Sequence, residues 1–413
     1  MAAPLLTIGE RTEEEPAAPS LELSNDLAEF RSAAGVPEMV RLAGEVLGDP
    51  TFPVARAWKR AGGRSVATFP VYTPQELIHA LGMLPVTVQG GGENLEITHA
   101  DALLGSFLCS ISKSTLEMAL TGRLDAFEGF VFPYICDVSR NLEGIFARSL
   151  PGKMTHMLHL PQNFGSAATL PFLVAEYRRL LAKLERVAGR PYDPEHLRAS
   201  LATFDRQRRL VGALADLRRE RPADLSLVEM YLLTRLGSTL PRELHIELLE
   251  RALSELTARH RKPRDALRVV VVGPFCEQPT LDLLSLLEES GCAVVGEEFQ
   301  MLSRWYGDVP REGDPLENLA RAYLESPVDI GVRATPTTKE AGILARVERT
   351  GAQGVLFLTA KFCEPALEDV VLYRRALEKR NIPYLQMEFE ERSTTYEQAR
   401  LQLETFVESQ LFD

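Results

Sequence analysis

From Arg64 onward the chain alternates short β-type runs with helical patterns, and it does so twice. The first series is RSVATF, a helix opening at Thr73-Pro74, LPVTV, a helix running through FLCSIS, and then FVFPYI. The second begins after the linker RKPRDA with LRVVVVG and continues through CAVVGEEF, VDIGVRA and GVLFLTA to NIPYLQMEF and a final helix. Strands separated by helices cannot pair as hairpins, so they predict parallel sheets with helices on both faces. Two similar series in one chain point to duplication.

Between the two series, residues 170 to 260 read as helix, with Leu, Ala and Arg recurring at i, i+3 and i+4. LVAEYRRLLAKLERVAG shows the pattern and stops at Gly189 and Pro191. The expected fold class is therefore α/β, with two Rossmann-like parallel-sheet domains, a helical N-terminal cap and a helical junction. Residues 1–25, acidic and rich in Pro and Ala, read as a disordered leader. Residues 26–62 form the cap, amphipathic from Leu27 to Arg60 and interrupted by Pro37 and the GDPTFP segment. The first α/β domain spans 63–169, the junction 170–262 and the second α/β domain 263–413.

A chain of 413 residues with 45% apolar content can bury a large core. Its formal charge of −12 argues against a nucleic-acid or anionic-membrane surface, either of which calls for clustered Lys and Arg. No apolar stretch reaches the roughly 18 to 20 residues that cross a bilayer. The N-terminus, MAAPLLTIGERTEEEPAAPS, lacks the basic-then-apolar order of a signal peptide. A cytoplasmic protein is expected, with its five cysteines kept reduced as thiols.

Three of those cysteines close apolar runs: Cys109 in FLCSIS, Cys136 in GFVFPYICDVSRN and Cys363 in GVLFLTAKFCEP. Two of them follow a buried-looking strand directly and so lie at its carboxyl end, where open α/β sheets bind ligands. Three thiolates can hold all but one iron of a [4Fe–4S] cube, leaving that iron open for chemistry. The alternative is that all three are small core hydrophobes, since none lies in a C-x-x-C pair. Cys292 opens CAVV and reads as core, whereas Cys276 sits in the strand-end turn of VVVVGPFCEQP and can approach a site there. That turn has a lone Gly273 without G-x-G-x-x-G spacing, and the chain has no P-loop motif, so ATP hydrolysis by that route is excluded. Gly90 to Gly92 read as a flexible turn.

The segments FPVYTPQELIHALGMLPVTV, FLCSIS, YICDVSRN, THMLHLPQ, RVAGRPYDPEHLRASL, AKFCEPALEDVVLYRRALEKRNIPYLQMEFEE and QLETFVESQLFD together resemble the 2-hydroxyacyl-CoA dehydratase and benzoyl-CoA reductase iron–sulfur subunit family. The resemblance covers the chain from about Ala57 onward. It implies one [4Fe–4S] cluster held by Cys109, Cys136 and Cys363. EEFQMLSRWYGDVPREGDPLENLARAYLES and the tail ETFVESQLFD resemble benzoyl-CoA reductase subunits more than dehydratases, and most of all the smaller, gamma-type member of the paralogous pair. The implied partners are a paralogous iron–sulfur subunit, ATP-hydrolysing activator subunits, ferredoxin as upstream donor, and an aromatic CoA thioester. In a 2-hydroxyacyl-CoA dehydratase the same fold would act on a 2-hydroxyacyl CoA thioester through a ketyl radical. A dehydratase needs electrons only catalytically, whereas the reductase consumes two per turnover. Two further readings are an electron relay without its own substrate site and a metal-free CoA-binding protein.

Reduction also needs protons. Glu76, in the first turn of the helix after Pro74, is a candidate donor or else a carboxylate favoured by the helix dipole. His156, with His159 three residues on, is a second candidate or else a satisfied core histidine. Asp137 and Arg140 can orient the loop of Cys136 or simply cap a helix. Tyr72, Phe164, Trp305 and Tyr306 line an aromatic pocket or fill the core.

Overall fold

A computed structural model describes residues 25–92, 95–273, 276–297, 308–325, 336–393 and 395–411. Three helices come first, α1 (Asn25–Ser32), α2 (Val36–Gly48) and α3 (Pro53–Arg60). The first sheet unit follows as β1 (Ser65–Thr68), α4 (Gln75–Ala80), β2 (Leu84–Thr87), α5 (Ser110–Leu120), β3 (Gly129–Pro133), α6 (Asp137–Ser149) and β4 (Met154–Leu158). Four helices then run in succession: α7 (Thr169–Ala188), α8 (Pro194–Glu220), α9 (Leu227–Arg235) and α10 (Arg242–Ala258). The second unit is β5 (Leu267–Val272), α11 (Leu281–Glu289), β6 (Cys292–Glu297), α12 (Pro315–Leu324), α13 (Pro336–Thr350), β7 (Gly354–Ala360), α14 (Glu364–Glu378), β8 (Tyr384–Phe389) and α15 (Glu397–Leu411).

Both sheets are wholly parallel and share one strand order, β2-β1-β3-β4 and β6-β5-β7-β8. The expected α/β class with two parallel sheets is what the chain adopts. The VDIGVRA segment lies outside the described residues. THMLHLP, ambiguous between helix and strand from its sequence, contributes its first four residues to β4, with His156 opposite Val131 of β3. Gly189 ends α7 with φ +72°, a left-handed conformation that glycine adopts at no steric cost.

Period-two packing is clearest in the second sheet. Val269 and Val271 of β5, with Leu356 and Leu358 of β7, enter the main core, which runs continuously into the first unit and the helices. Val270 and Val272, with Val355 and Phe357, face a separate core under α13 and α14, beside Ile343 and Tyr373. Both faces are thus covered, as an all-parallel sheet requires. Among the described residues no helix is long and apolar enough to cross a membrane.

The helices between the sheets are tied to the first unit by polar contacts, those of Glu76 with Arg208 and Ser200 being buried. Arg208 of α8 donates from Nη1 to Glu76 Oε1 of α4 at 2.8 Å and also pairs with Asp205. Ser200 Oγ donates to the Glu76 carbonyl at 3.0 Å. His79 of α4 meets Ser200 at 3.0 Å and Glu243 of α10 at 3.2 Å. Glu76 is 2% exposed, so its removal leaves a buried guanidinium with less counter-charge. Glu76→Ala is expected to cost about 3 kcal/mol, the low end for breaking a buried pair, because Asp205 still holds Arg208. Urea denaturation followed by far-ultraviolet circular dichroism measures this, and an unchanged midpoint would contradict the structural role.

Candidate metal centre

The order 2-1-3-4 reverses direction at the first strand, so each sheet has a crevice at the carboxyl ends of its first and third strands. In the first sheet that crevice lies between the loops after β1 and β3, in the second between those after β5 and β7. The third strands are used alike. Cys136 lies three residues past Pro133, the last residue of β3, and Cys363 three residues past Ala360, the last of β7. Each is the N-cap of the following helix, α6 or α14, and Cys109 is the N-cap of α5. Cysteine is not among the favoured capping residues. Of the three, only Cys136 has a thiol that caps its helix, accepting the Ser139 N–H at 3.4 Å. Three helices thus begin on a poor capping residue.

The two crevices share one cavity, whose lining includes Cys109, Cys136, Cys276 and Cys363. Its walls are otherwise largely apolar, with Phe69, Ile135 and Phe362 among them, and Glu277 contributes a carboxyl group. Cys109, Cys136 and Cys363 are half-buried, while Cys276 is buried. Cys109 Sγ lies 3.1 Å from Ser112 Oγ, and the Cys276 thiol donates to the Pro70 carbonyl at 3.3 Å. Cys292, by contrast, opens β6 within the main core, as its sequence context suggests.

Burial pushes the Cys109 thiol up to about 12. The Ser112 hydroxyl opposes the rise, and Glu277, Cys363 and Cys136 add to it by repulsion. Cys136 is raised as well, chiefly by burial and against the backbone N–H groups of Ser139 and Val138. Cys109 and Cys136 are therefore neutral thiols at pH 7 and would have to release protons to hold a metal. The three helix N-termini favour the resulting thiolates. Among the described residues no three His, Cys, Asp or Glu side chains converge as they would on a single ion. A cube makes no such demand, because each thiolate takes a different corner. Soft donors in a low-polarity cavity fit an iron–sulfur cluster.

Glu277 carries no signal in the sequence, yet it is the titratable carboxyl most closely built into this cavity. It accepts from Ser110 Oγ at 2.6 Å, from the Ile111 N–H at 3.1 Å and from the Glu391 N–H at 2.9 Å. Burial still raises it to about 7, aided by the nearby Glu391 carboxyl. Glu391 lies on the far side, lining a second cavity of about 280 Å³ together with Gln89 and Arg235. Gly90 permits this approach: at φ +85°, a Cβ there would fall 1.8 Å from Glu391 Oε1. The glycine run expected to be a flexible turn is a seat for a buried carboxyl.

The two proton-donor candidates lie elsewhere. Neither Glu76, paired with Arg208, nor His156, buried on β4, lines the cysteine cavity. Asp137 begins α6, and Arg140 lies over the Tyr134 ring at 5.7 Å. Tyr72 and Phe164 both pack on Tyr323 of α12, at centroid distances of 5.8 and 6.1 Å. Trp305 and Tyr306 lie outside the described residues.

Burial, with Lys183, His159 and Arg179 nearby, pushes His156 down to about 4 from the usual 6.5. A depressed base contributes stability that is present above about 6.5 and is lost as pH falls through about 4. His156→Gln is therefore expected to lose less stability than the wild type between pH 6.5 and 4. Denaturation midpoints across that window measure the difference, and parallel curves would contradict a neutral buried His156.

The family described as 2-hydroxyglutaryl-CoA dehydratase, D-component, matches residues 70–409. A benzoyl-CoA reductase subunit from Thauera aromatica is 35% identical over 366 residues, 87% of this chain and 95% of that protein. The (R)-phenyllactyl-CoA dehydratase beta subunit of Clostridium sporogenes is 26% identical, covering 88% of this chain and 96% of the relative. The (R)-2-hydroxyglutaryl-CoA dehydratase beta subunit of Acidaminococcus fermentans is 25% identical, covering 85% and 94%. With its sheets, its cysteine cavity and these matches taken together, the chain belongs to the 2-hydroxyglutaryl-CoA dehydratase D-component family, which spans benzoyl-CoA reductase and 2-hydroxyacyl-CoA dehydratase subunits.

Proposed function

We propose that this chain binds a [4Fe–4S] cluster through Cys109, Cys136 and Cys363 and serves as a subunit of an ATP-dependent benzoyl-CoA reductase. The observation that carries this reading is the meeting of those three thiols, each at a helix N-terminus, on one cavity between two sheet edges. The reductase is preferred to a dehydratase because the reductase relative is 35% identical and the dehydratase relatives 25 to 28%. When bound, the cluster would supply a low-potential electron for an aromatic CoA thioester.

The protein's own contribution is the surroundings. Apolar walls exclude water and strengthen every charge interaction inside. The helix N-termini offset the negative charge of the thiolates. Glu277, raised to about 7, can be neutral where a carboxylate would add negative charge and make reduction harder. The cavity is small, about 30 Å³, room for about two waters. Phe107, two residues before Cys109, and Phe362, next to Cys363, leave apolar surface exposed beside the site. That surface suits a paralogous iron–sulfur subunit, with ATP-hydrolysing activator subunits and ferredoxin upstream.

Anaerobic purification with the paralogous subunit should yield about four irons and four sulfides for this chain, lost in Cys136→Ser. Steady-state turnover with benzoyl-CoA and ATP should then consume two electrons per product. Turnover on a catalytic trace of electrons, with water lost from a 2-hydroxyacyl-CoA, would establish the dehydratase instead.

A further inference from the structure

Beyond Glu391 lies the larger cavity of about 280 Å³, walled from several parts of the chain. Leu47 and Phe52 come from the N-terminal helical segment, Gln89 from the loop after β2, Leu232 and Arg235 from α9, and Leu281 from the start of α11. Its polar lining is only partly satisfied. Glu391 Oε1 accepts the Gly92 N–H at 3.0 Å, but Oε2 is buried without a hydrogen-bond partner among the described residues. Arg235 spends Nε on the Gln89 side-chain oxygen and Nη1 on the Tyr231 hydroxyl at 2.7 Å, and both partners are neutral. Its charge therefore meets no salt-bridge partner among the described residues, and Gln89 keeps its amide NH₂ to offer.

These groups select the sign of a ligand. A guanidinium keeps its charge at any ordinary pH. Burial favours the protonated form of Glu391, against the Ser114 hydroxyl, the Gly92 N–H and Arg235. Protonated, its carboxyl is an O–H donor. The N-terminus of α11, capped by Thr280, lines the same space and adds positive potential. Two other carboxylates line the cavity and oppose this only weakly. Asp49 already accepts the Thr51 N–H at 2.8 Å and its hydroxyl at 2.7 Å, and Asp282 is exposed to solvent. An ammonium group would be repelled by Arg235, whereas a carboxylate is attracted to it. Apolar side chains supply much of the remaining wall. An apolar cavity of about 150 Å³ holds benzene, so this one has room for a ring and its carboxylate.

We propose that this cavity binds a small organic carboxylate with an apolar body, its carboxylate held by Arg235, Gln89 and Glu391 and its body packed on Leu47, Phe52 and Leu232. The site is distinct from the cysteine cavity and stands whether or not a cluster is present. Its walls join the N-terminal helices, the loops after β2 and β8, α9 and the start of α11. A bound acid therefore ties both sheet units to the helices between them and stabilises the folded chain.

The test titrates the full chain, purified without oxygen, with benzoate, its neutral amide benzamide and the cation benzylammonium, by isothermal calorimetry. Benzoate should saturate a single site and bind at least about tenfold more tightly than benzamide, the difference expected from one charged hydrogen bond. Benzylammonium should give no saturable heat. The three probes share one ring, so this comparison needs only the wild type. Arg235→Gln should weaken benzoate binding at least about tenfold. Glu391→Gln keeps a neutral donor and should bind benzoate nearly as well as the wild type. No saturable benzoate binding, or benzylammonium bound as tightly as benzoate, overturns the proposal. So does benzoate binding that a folded Arg235→Gln variant leaves unchanged, since the acid then sits elsewhere. Iron content is read separately, so the cluster reading stands or falls on its own measurement.

Discussion

Everything in this molecule turns on how parallel strands must be connected. A parallel pair needs a crossover, and crossovers in one sheet share a hand, so a strand order of 2-1-3-4 forces the chain to reverse direction beside its first strand. The reversal opens a crevice at the carboxyl edge. The chain makes this reversal twice and sets the two crevices against one cavity. The cysteines therefore need no long-range sequence pattern, because each has only to follow its strand or begin its helix.

The electrostatics of the cavity pull in two directions. Burial holds Cys109 and Cys136 protonated, and repulsion from Glu277 and the other thiols reinforces this at Cys109. The helix N-termini favour an anionic group once its protons have gone, whereas the apolar walls oppose it. Glu277 and Glu391 form the back wall, joined by the Glu391 N–H and separating the cysteine cavity from the larger one beyond. Two buried carboxyls so close favour at least one neutral form near pH 7.

Much of the fold is legible in the sequence because its signal is local. RSVATF, LPVTV and GVLFLTA lie within a residue or two of β1, β2 and β7, and Gly189 stops α7 where the pattern stops. THMLHLP stays ambiguous because so short a run satisfies either period, and only pairing with β3 decides for strand. Cys109, Cys136 and Cys363 stand out by following apolar runs, and Cys276 by its strand-end turn. Glu277 and Glu391 are silent, since a carboxylate is ordinary until tertiary packing buries it. Glu76 draws attention at a helix start, but its partner Arg208 comes from a helix far along the chain.

If the two crevices form one metal centre, iron must sit where the sheet edges meet. The most direct measurement is anomalous X-ray diffraction at the iron edge from crystals grown without oxygen. One compact iron peak is expected, within bonding reach of Cys109, Cys136 and Cys363. An iron peak elsewhere in the chain, or none in crystals of active protein, would contradict this assignment.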